Sequence, residues 1–196
     1  MATTTKLVLT LLVCLLIVGL LAYFLSRRRS SFRSATAPQV PVSETYLNMR
    51  EMILQGLHGK VALPPARKPT EPYAVMMDWN TGNGIATVVA VADGTASVYL
   101  SSGGGSIGGG QSHPEIREAA LKAVSLAAEF QPRMQPTANY PLPEPGGVIF
   151  YAVTDAGVYS SLGTAEELAA QRHPLSRLGN AMQNIVTQYR LLQPQK

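Results

Sequence analysis

The chain lacks most of the residue patterns that mark a catalytic or metal-binding protein. Only one of its 196 residues is cysteine, Cys14, so neither an intrachain disulfide nor a cysteine-pair zinc or redox site can form. The three histidines, His58, His113 and His173, lie far apart and none belongs to a metal-binding motif such as HExxH. No serine can be assigned the His and Asp partners of a nucleophilic triad. We therefore expect no resident metal and no cofactor, and a non-enzymatic protein is favoured.

Charged residues are also scarce, at 14% of the chain, and the net charge of +4 is unevenly placed. Residues 1–42 contain five basic side chains and no acidic one, whereas residues 43–196 contain eleven basic and twelve acidic side chains. The larger part of the chain is thus close to neutral. A neutral domain lacks the basic surface that nucleic-acid binding requires, so we expect no nucleic-acid partner.

The longest hydrophobic run extends from Leu7 to Leu25 and contains no charged residue, Asn, Gln or Pro. A helix over this run would reach roughly 28 Å, close to the hydrocarbon thickness of a bilayer. The sequence therefore predicts that residues 1–25 form a transmembrane anchor. A cleaved secretory signal is the alternative, but Ser26 and the arginines after it contain no small-x-small cleavage site.

Basic side chains flank this run unequally. Lys6 precedes it, whereas Arg27, Arg28, Arg29 and Arg33 follow it without a nearby acid. The positive-inside bias then predicts a single-pass membrane protein whose C-terminal domain faces the cytoplasm. The three consecutive arginines can also contact anionic lipid headgroups.

Four further segments follow the apolar run. Residues 26–42 are predicted to be a basic, proline-containing juxtamembrane linker, and residues 61–72, with four prolines, a second linker. Between them, residues 43–60 are predicted to form an amphipathic helix capped by Ser43. Its apolar face must pack on the domain, on the bilayer or on a partner, and packing on its own domain is favoured. Residues 73–196 then form a small folded domain.

Within this domain, hydrophobic alternation and turn residues predict five strands, over residues 73–79, 85–92, 95–101, 148–154 and 157–162. Helical periodicity and capping residues predict helices that begin at Ser112 and Thr164, and a last helix over residues 175–192. We therefore expect an α+β fold in which helices pack on a five-stranded, mostly antiparallel sheet. The apolar seam of the last helix favours core packing over self-association.

A glycine-rich loop, residues 101–112, lies between the third strand and the next helix. Backbone N–H groups in such a loop, together with a helix N-terminus, can bind an anion or a nucleotide. The loop lacks the Lys-Ser/Thr of a P-loop, and its GxGxxG match is weak in so glycine-dense a run. A flexible loop that takes its shape on contact with a partner is therefore favoured over anion or nucleotide binding. The candidate ligand-binding residues are Gly103, Gly104, Gly105, Gly108, Gly109, Gly110 and Ser112.

Three functional hypotheses remain. The favoured one is a membrane-anchored interaction or scaffold module that binds another protein or itself. The alternative is a ligand- or anion-sensing domain that uses the glycine-rich loop and the helix after it. The weakest is a hydrolase built on Asp78 near a strand end, with Asp93, Glu115 or Asp155 as its carboxylate partners. A single carboxylate is not a catalytic site, and Asp93 and Asp155 are typical turn residues.

Overall fold

The computed structural model describes residues 42–57 and 68–192. Seven strands in this part of the chain form one sheet in the order β4-β3-β2-β1-β6-β7-β5, and every neighbouring pair is antiparallel. The strands are β1 Ala74–Asn80, β2 Ile85–Val91, β3 Ala96–Leu100, β4 Gly105–Ser106, β5 Gln135–Thr137, β6 Gly147–Thr154 and β7 Gly157–Thr164. The helices are α1 Glu44–Leu54, α2 Pro114–Phe130, α3 Ala165–Ala169 and α4 Ser176–Leu192.

Helices cover both faces of the sheet. Side chains alternate along β1, so that Val75 and Met77 join a core with α2, α3 and α4, whereas Ala74 and Met76 join a core with α1. The helix predicted over residues 43–60 ends earlier, at Leu54, and packs on its own domain. Its buried side chains include Tyr46 and Ile53.

The α+β class, the antiparallel β1-β2-β3 meander and the β6–β7 hairpin are confirmed, but the predicted count of five strands is wrong. The two additional strands are short and lie at the sheet edges. β4 has only two residues, one of them a glycine, which is depleted in strands, and β5 contains Pro136. Proline is tolerated there because an edge strand needs only one side of its backbone for pairing.

Two of three predicted helix caps are confirmed. The Ser43 hydroxyl accepts a hydrogen bond from Tyr46 N at 3.2 Å, and Thr164 forms a reciprocal capping box with Glu167. The predicted Ser112 cap is wrong, because α2 begins one residue later with His113 as its N-cap residue. The ring of His113 makes no capping hydrogen bond.

The predicted anchor over residues 1–25 and the linker up to residue 41 lie outside the described residues, as does most of the second linker. In the two ranges that the structure describes, no helix combines the length and apolar composition needed to cross a bilayer.

Candidate functional site at the glycine-rich loop

The glycine-rich loop folds back along the outer edge of β3. Gly105 and Ser106 form β4 and pair with Tyr99 and Val98. Next to this pairing, at the end of β3, the Leu100 N–H donates to the Gly104 carbonyl at 3.2 Å. The loop therefore occupies backbone groups that would otherwise lie unpaired at a sheet edge.

Tyr189 of α4 completes this cover. Its hydroxyl donates to the Ala96 carbonyl at 2.7 Å and accepts a hydrogen bond from the Gly109 N–H at 2.8 Å. Burial raises the pKa of Tyr189, and the Gly109 hydrogen bond opposes that shift. The Tyr189 hydroxyl thus links the last helix by hydrogen bonds to both β3 and the glycine-rich loop. The sequence placed Tyr189 on the apolar seam of this helix, but nothing local indicated the two backbone partners.

Close packing also accounts for the glycine at position 110. A Cβ atom there would overlap the carbonyl oxygen of Gly94 in the β2–β3 turn and would press on the backbone of Arg117 in α2. Glycine allows the loop to pass between this turn and the start of α2. The guanidinium of Arg117 then donates to the Asp93 carbonyl at 2.6 Å across the same junction.

The predicted ligand-binding residues all lie in this loop, but several of their N–H groups already have partners. Gly108 N donates to the Ser97 hydroxyl at 3.2 Å, Gly109 N donates to Tyr189, and Ser112 N donates to the Gly109 carbonyl at 3.3 Å. An anion bound by these groups would have to replace existing hydrogen bonds. This geometry weakens the anion-cradle hypothesis.

An open cleft of about 330 Å³ lies between this loop and the end of α4. Its lining is largely uncharged and includes Ile107, Ser112, His113, Tyr189 and Leu192. Ile107 is 71% exposed although the loop around it is held by the hydrogen bonds described above. Ile107 and Leu192 thus leave apolar surface exposed beside the cleft.

A cluster of polar side chains is buried beneath α1. Arg50 Nε donates to Asp78 Oδ2 at 2.7 Å, and Thr87 donates to the other carboxylate oxygen at 2.5 Å. Because Thr87 uses its only proton there, the Tyr46 hydroxyl at 2.8 Å must be the donor to Thr87. Asp78 has no exposed surface. Substrate therefore cannot reach this carboxylate in the folded conformation.

The remaining N–H groups of Arg50 donate to the proline-rich segment that connects β5 to β6. Its terminal nitrogens donate to the carbonyls of Tyr140 and Pro141, both at 2.9 Å, and to the Tyr151 hydroxyl at 3.1 Å. Tyr151 in turn donates to the Pro141 carbonyl at 2.9 Å. Arg50 thus joins α1, the centre of the sheet and the connection to β6.

Burial dominates the ionisation of this cluster. Burial raises the pKa of Asp78, and the opposing effects of Arg50 and Thr87 are smaller. Burial also raises the pKa of Tyr46, and it raises that of Tyr151 to about 12. These shifts are typical of an internal structural network that water does not reach.

The predicted carboxylate partners of Asp78 lie on three separate elements, which are the β2–β3 turn (Asp93), the first turn of α2 (Glu115) and the β6–β7 turn (Asp155). Asp93 accepts a hydrogen bond from Thr95 N within the β2–β3 turn, as its turn role predicts. Nowhere in residues 42–57 or 68–192 do three His, Cys, Asp or Glu side chains group closely enough to hold a metal ion. His173 serves the fold: its Nδ1 accepts from Leu175 N at 3.1 Å, which leaves Nε2 to donate to the Leu162 carbonyl at 3.0 Å.

Comparison with protein-family models, curated proteins and solved structures found no match for this chain.

Proposed function

We propose that this protein is a non-catalytic interaction module, anchored in a membrane by residues 7–25, whose folded domain faces the cytoplasm and binds another protein or itself. The observation that carries the proposal is the display of Ile107 beside an uncharged cleft, on a loop held by backbone pairing and by Tyr189. The charged groups beneath α1 are engaged in the fold instead.

Membrane anchoring is tested first with the full chain. After alkaline carbonate washing, the protein should remain with the membrane pellet, and a reporter active only in the cytoplasm should work when fused after Lys196. Release into the supernatant would refute the anchor. Activity of a periplasmic or luminal reporter alone would refute the orientation.

Binding is tested on the detergent-solubilised full chain by chemical crosslinking and by mass measurement at increasing protein concentration. Ile107→Ser should reduce the crosslinked or associated fraction. Leu162→Ser is the matched control, because Leu162 is 68% exposed but lies on β7, near the opposite edge of the sheet. Equal loss in both variants, or no association with any protein, would contradict the proposal.

The second candidate is a ligand- or anion-sensing domain. The position of the cleft favours it, because Ser112 and His113 at the start of α2 line the same space as Ile107. A thermal-shift screen with nucleotides and phosphorylated metabolites discriminates between the two functions. Stabilisation that Ser112→Ala abolishes would favour ligand sensing over the interaction module.

A further inference from the structure

We propose that the groove between α2 and α4 binds an acidic segment of a partner protein. The groove is open, has a volume of about 330 Å³ and is lined by Ala119, Leu126 and Ala181 together with four longer polar side chains. It shares no lining residue with the cleft beside Ile107, although both adjoin α4. The assignment of the ligand to a protein rests on the proposed function, which the acidic chemistry makes more specific.

The polar side chains of this groove are Lys122 of α2 and Arg177, Asn180 and Asn184 of α4. Two of them are cations and two are carboxamides, and no Asp or Glu is among the lining residues. Lys122 is exposed and makes no hydrogen bond or ion pair with any residue in the two described ranges. Its ammonium group is therefore available to a ligand.

Neighbouring side chains orient two further donors. Arg177 Nη1 donates to Glu129 Oε1 at 2.7 Å, and the guanidinium carbon of Arg177 lies 5.7 Å from the centre of the Phe130 ring. The Asn184 amide oxygen accepts a hydrogen bond from Gln188 Nε2 at 3.2 Å, which leaves the Asn184 NH2 group to donate. The groove thus presents N–H donors on an ammonium, a guanidinium and an amide. Carboxylates and phosphates are the groups that accept from such a set.

The spacing of these donors favours an extended ligand over a single small anion. Arg177 and Asn184 are separated by two turns of α4, which corresponds to about 10 Å along the helix axis. One carboxylate or phosphate group is too small to bridge this distance. An extended polypeptide covers it in about three residues, since each residue spans at most about 3.5 Å. Two acidic side chains of one segment can therefore reach the two ends of the groove.

The carboxylates of α2 leave the groove with a net positive charge. Glu129 contacts Arg177 and balances one of the two cations. Glu115 and Glu118 are exposed on α2 but do not line the groove, and within the described part of the chain Glu118 forms no ion pair with Lys122. α4 itself contains arginine but no acidic residue. The charge of the groove is therefore complementary to an acidic segment and repels a basic one.

The experiment uses the detergent-solubilised full chain and a fluorescein-labelled oligoglutamate peptide, whose binding is followed by fluorescence anisotropy at low ionic strength. Lys122→Gln should raise the Kd about threefold or more, and Lys122→Arg should restore it. Arg190→Gln is the matched control, because Arg190 is exposed on α4 but does not line the groove, and it should leave the Kd unchanged. Unlabelled oligoglutamate should displace the labelled peptide, whereas inorganic phosphate at equal ionic strength should not.

Failure of the groove and failure of the proposed function give different results. If oligoglutamate does not bind, or if Lys122→Gln and Arg190→Gln weaken its binding equally, the acidic-segment site is refuted. Association of the full chain in the crosslinking test would then leave the proposed function standing. If inorganic phosphate competes as well as oligoglutamate, the groove binds a small anion and the acidic-segment site is again refuted. If oligoglutamate binds through Lys122 but the full chain associates with no protein, the groove assignment stands and the proposed function fails.

Discussion

Replacement of Arg50 by methionine tests whether the buried cluster under α1 holds the domain together. The side chains of Arg50 and Asp78 are 7% and 0% exposed, and their atoms approach to 2.7 Å. Removing one partner of such a pair leaves an uncompensated buried charge, which typically costs about 3–5 kcal/mol. Arg50→Met also removes the donors to the Tyr140 and Pro141 carbonyls. We expect a loss of about 4 kcal/mol in the free energy of unfolding.

A matched control separates burial from the mere presence of an ion pair. Arg172 and Glu166 approach to 2.9 Å, but their side chains are 60% and 84% exposed. Arg172→Met should therefore cost less than about 1 kcal/mol. The double variant Arg50→Met/Asp78→Leu should recover at least about 2 kcal/mol relative to Arg50→Met, because it removes the stranded charge.

The assay is urea unfolding of the full chain in a nonionic detergent, followed by the fluorescence of Trp79, the single tryptophan. Trp79 lies in β1, one residue from Asp78, and packs against the core on the opposite face from α1. Equal destabilisation by Arg50→Met and Arg172→Met would refute the reasoning. So would a double variant that is less stable than Arg50→Met alone.

Three further predictions concern the loop and the buried tyrosines. Gly110→Ala should lower the free energy of unfolding by about 2 kcal/mol or more, because the new Cβ would overlap the Gly94 carbonyl. At Gly104 a Cβ would meet open space, so Gly104→Ala should cost only the roughly 1–2 kcal/mol of a left-handed backbone. Equal costs of the two variants in urea unfolding would contradict this. Tyr189→Phe should cost about 1–3 kcal/mol and speed amide exchange at Gly109, and unchanged exchange would be the contrary result. The pKa of Tyr151 is about 10 in the unfolded chain and about 12 in the folded protein. The protonated Tyr151 hydroxyl therefore makes its full contribution to the free energy of unfolding below pH 10, and this contribution is lost as the pH rises to 12. The free energy of unfolding should fall by up to roughly 1.4 kcal/mol per pH unit over this window, and Tyr151→Phe should reduce that slope; an equal slope in both proteins would refute the assignment.

Much of the fold was predictable because its signals are local. The β1-β2-β3 meander follows from short hydrophobic strands joined by turn residues such as Asp93 and Gly94, and the capping box at Thr164 follows from residue spacing alone. β4 and β5 could not be predicted in this way. Their pairing depends on the edges that β3 and β7 offer, and the sequences of the two strands, with glycine, serine and proline, argue against strand structure.

The candidate site was predictable in position but not in its contacts. Glycine density indicated an unusual loop at residues 101–112, and both anion binding and a partner-shaped loop were consistent with it. The decisive contacts come from residues distant in sequence: Tyr189 is 80 residues from Gly109, and Arg50 is 28 residues from Asp78. Periodicity allowed either Met49 or Arg50 on the apolar face of α1, and it could not identify the buried carboxylate that Arg50 contacts.

Two long-range contacts fix the position of α1, the first helix that the structure describes. Ser43 fixes the start of α1 at Ser101, and Arg50 fixes its middle over the sheet at Asp78. Because α1 is held at its start and at its middle, the direction of α1 relative to β3 is set by contacts within the domain. A tether that joins a domain at one fixed edge restricts which surfaces can meet a partner or a bilayer. The buried charge cluster therefore has a bearing on the proposed function although no ligand can reach it: together with Ser43 it fixes, beside β3, the point at which the described part of the domain begins.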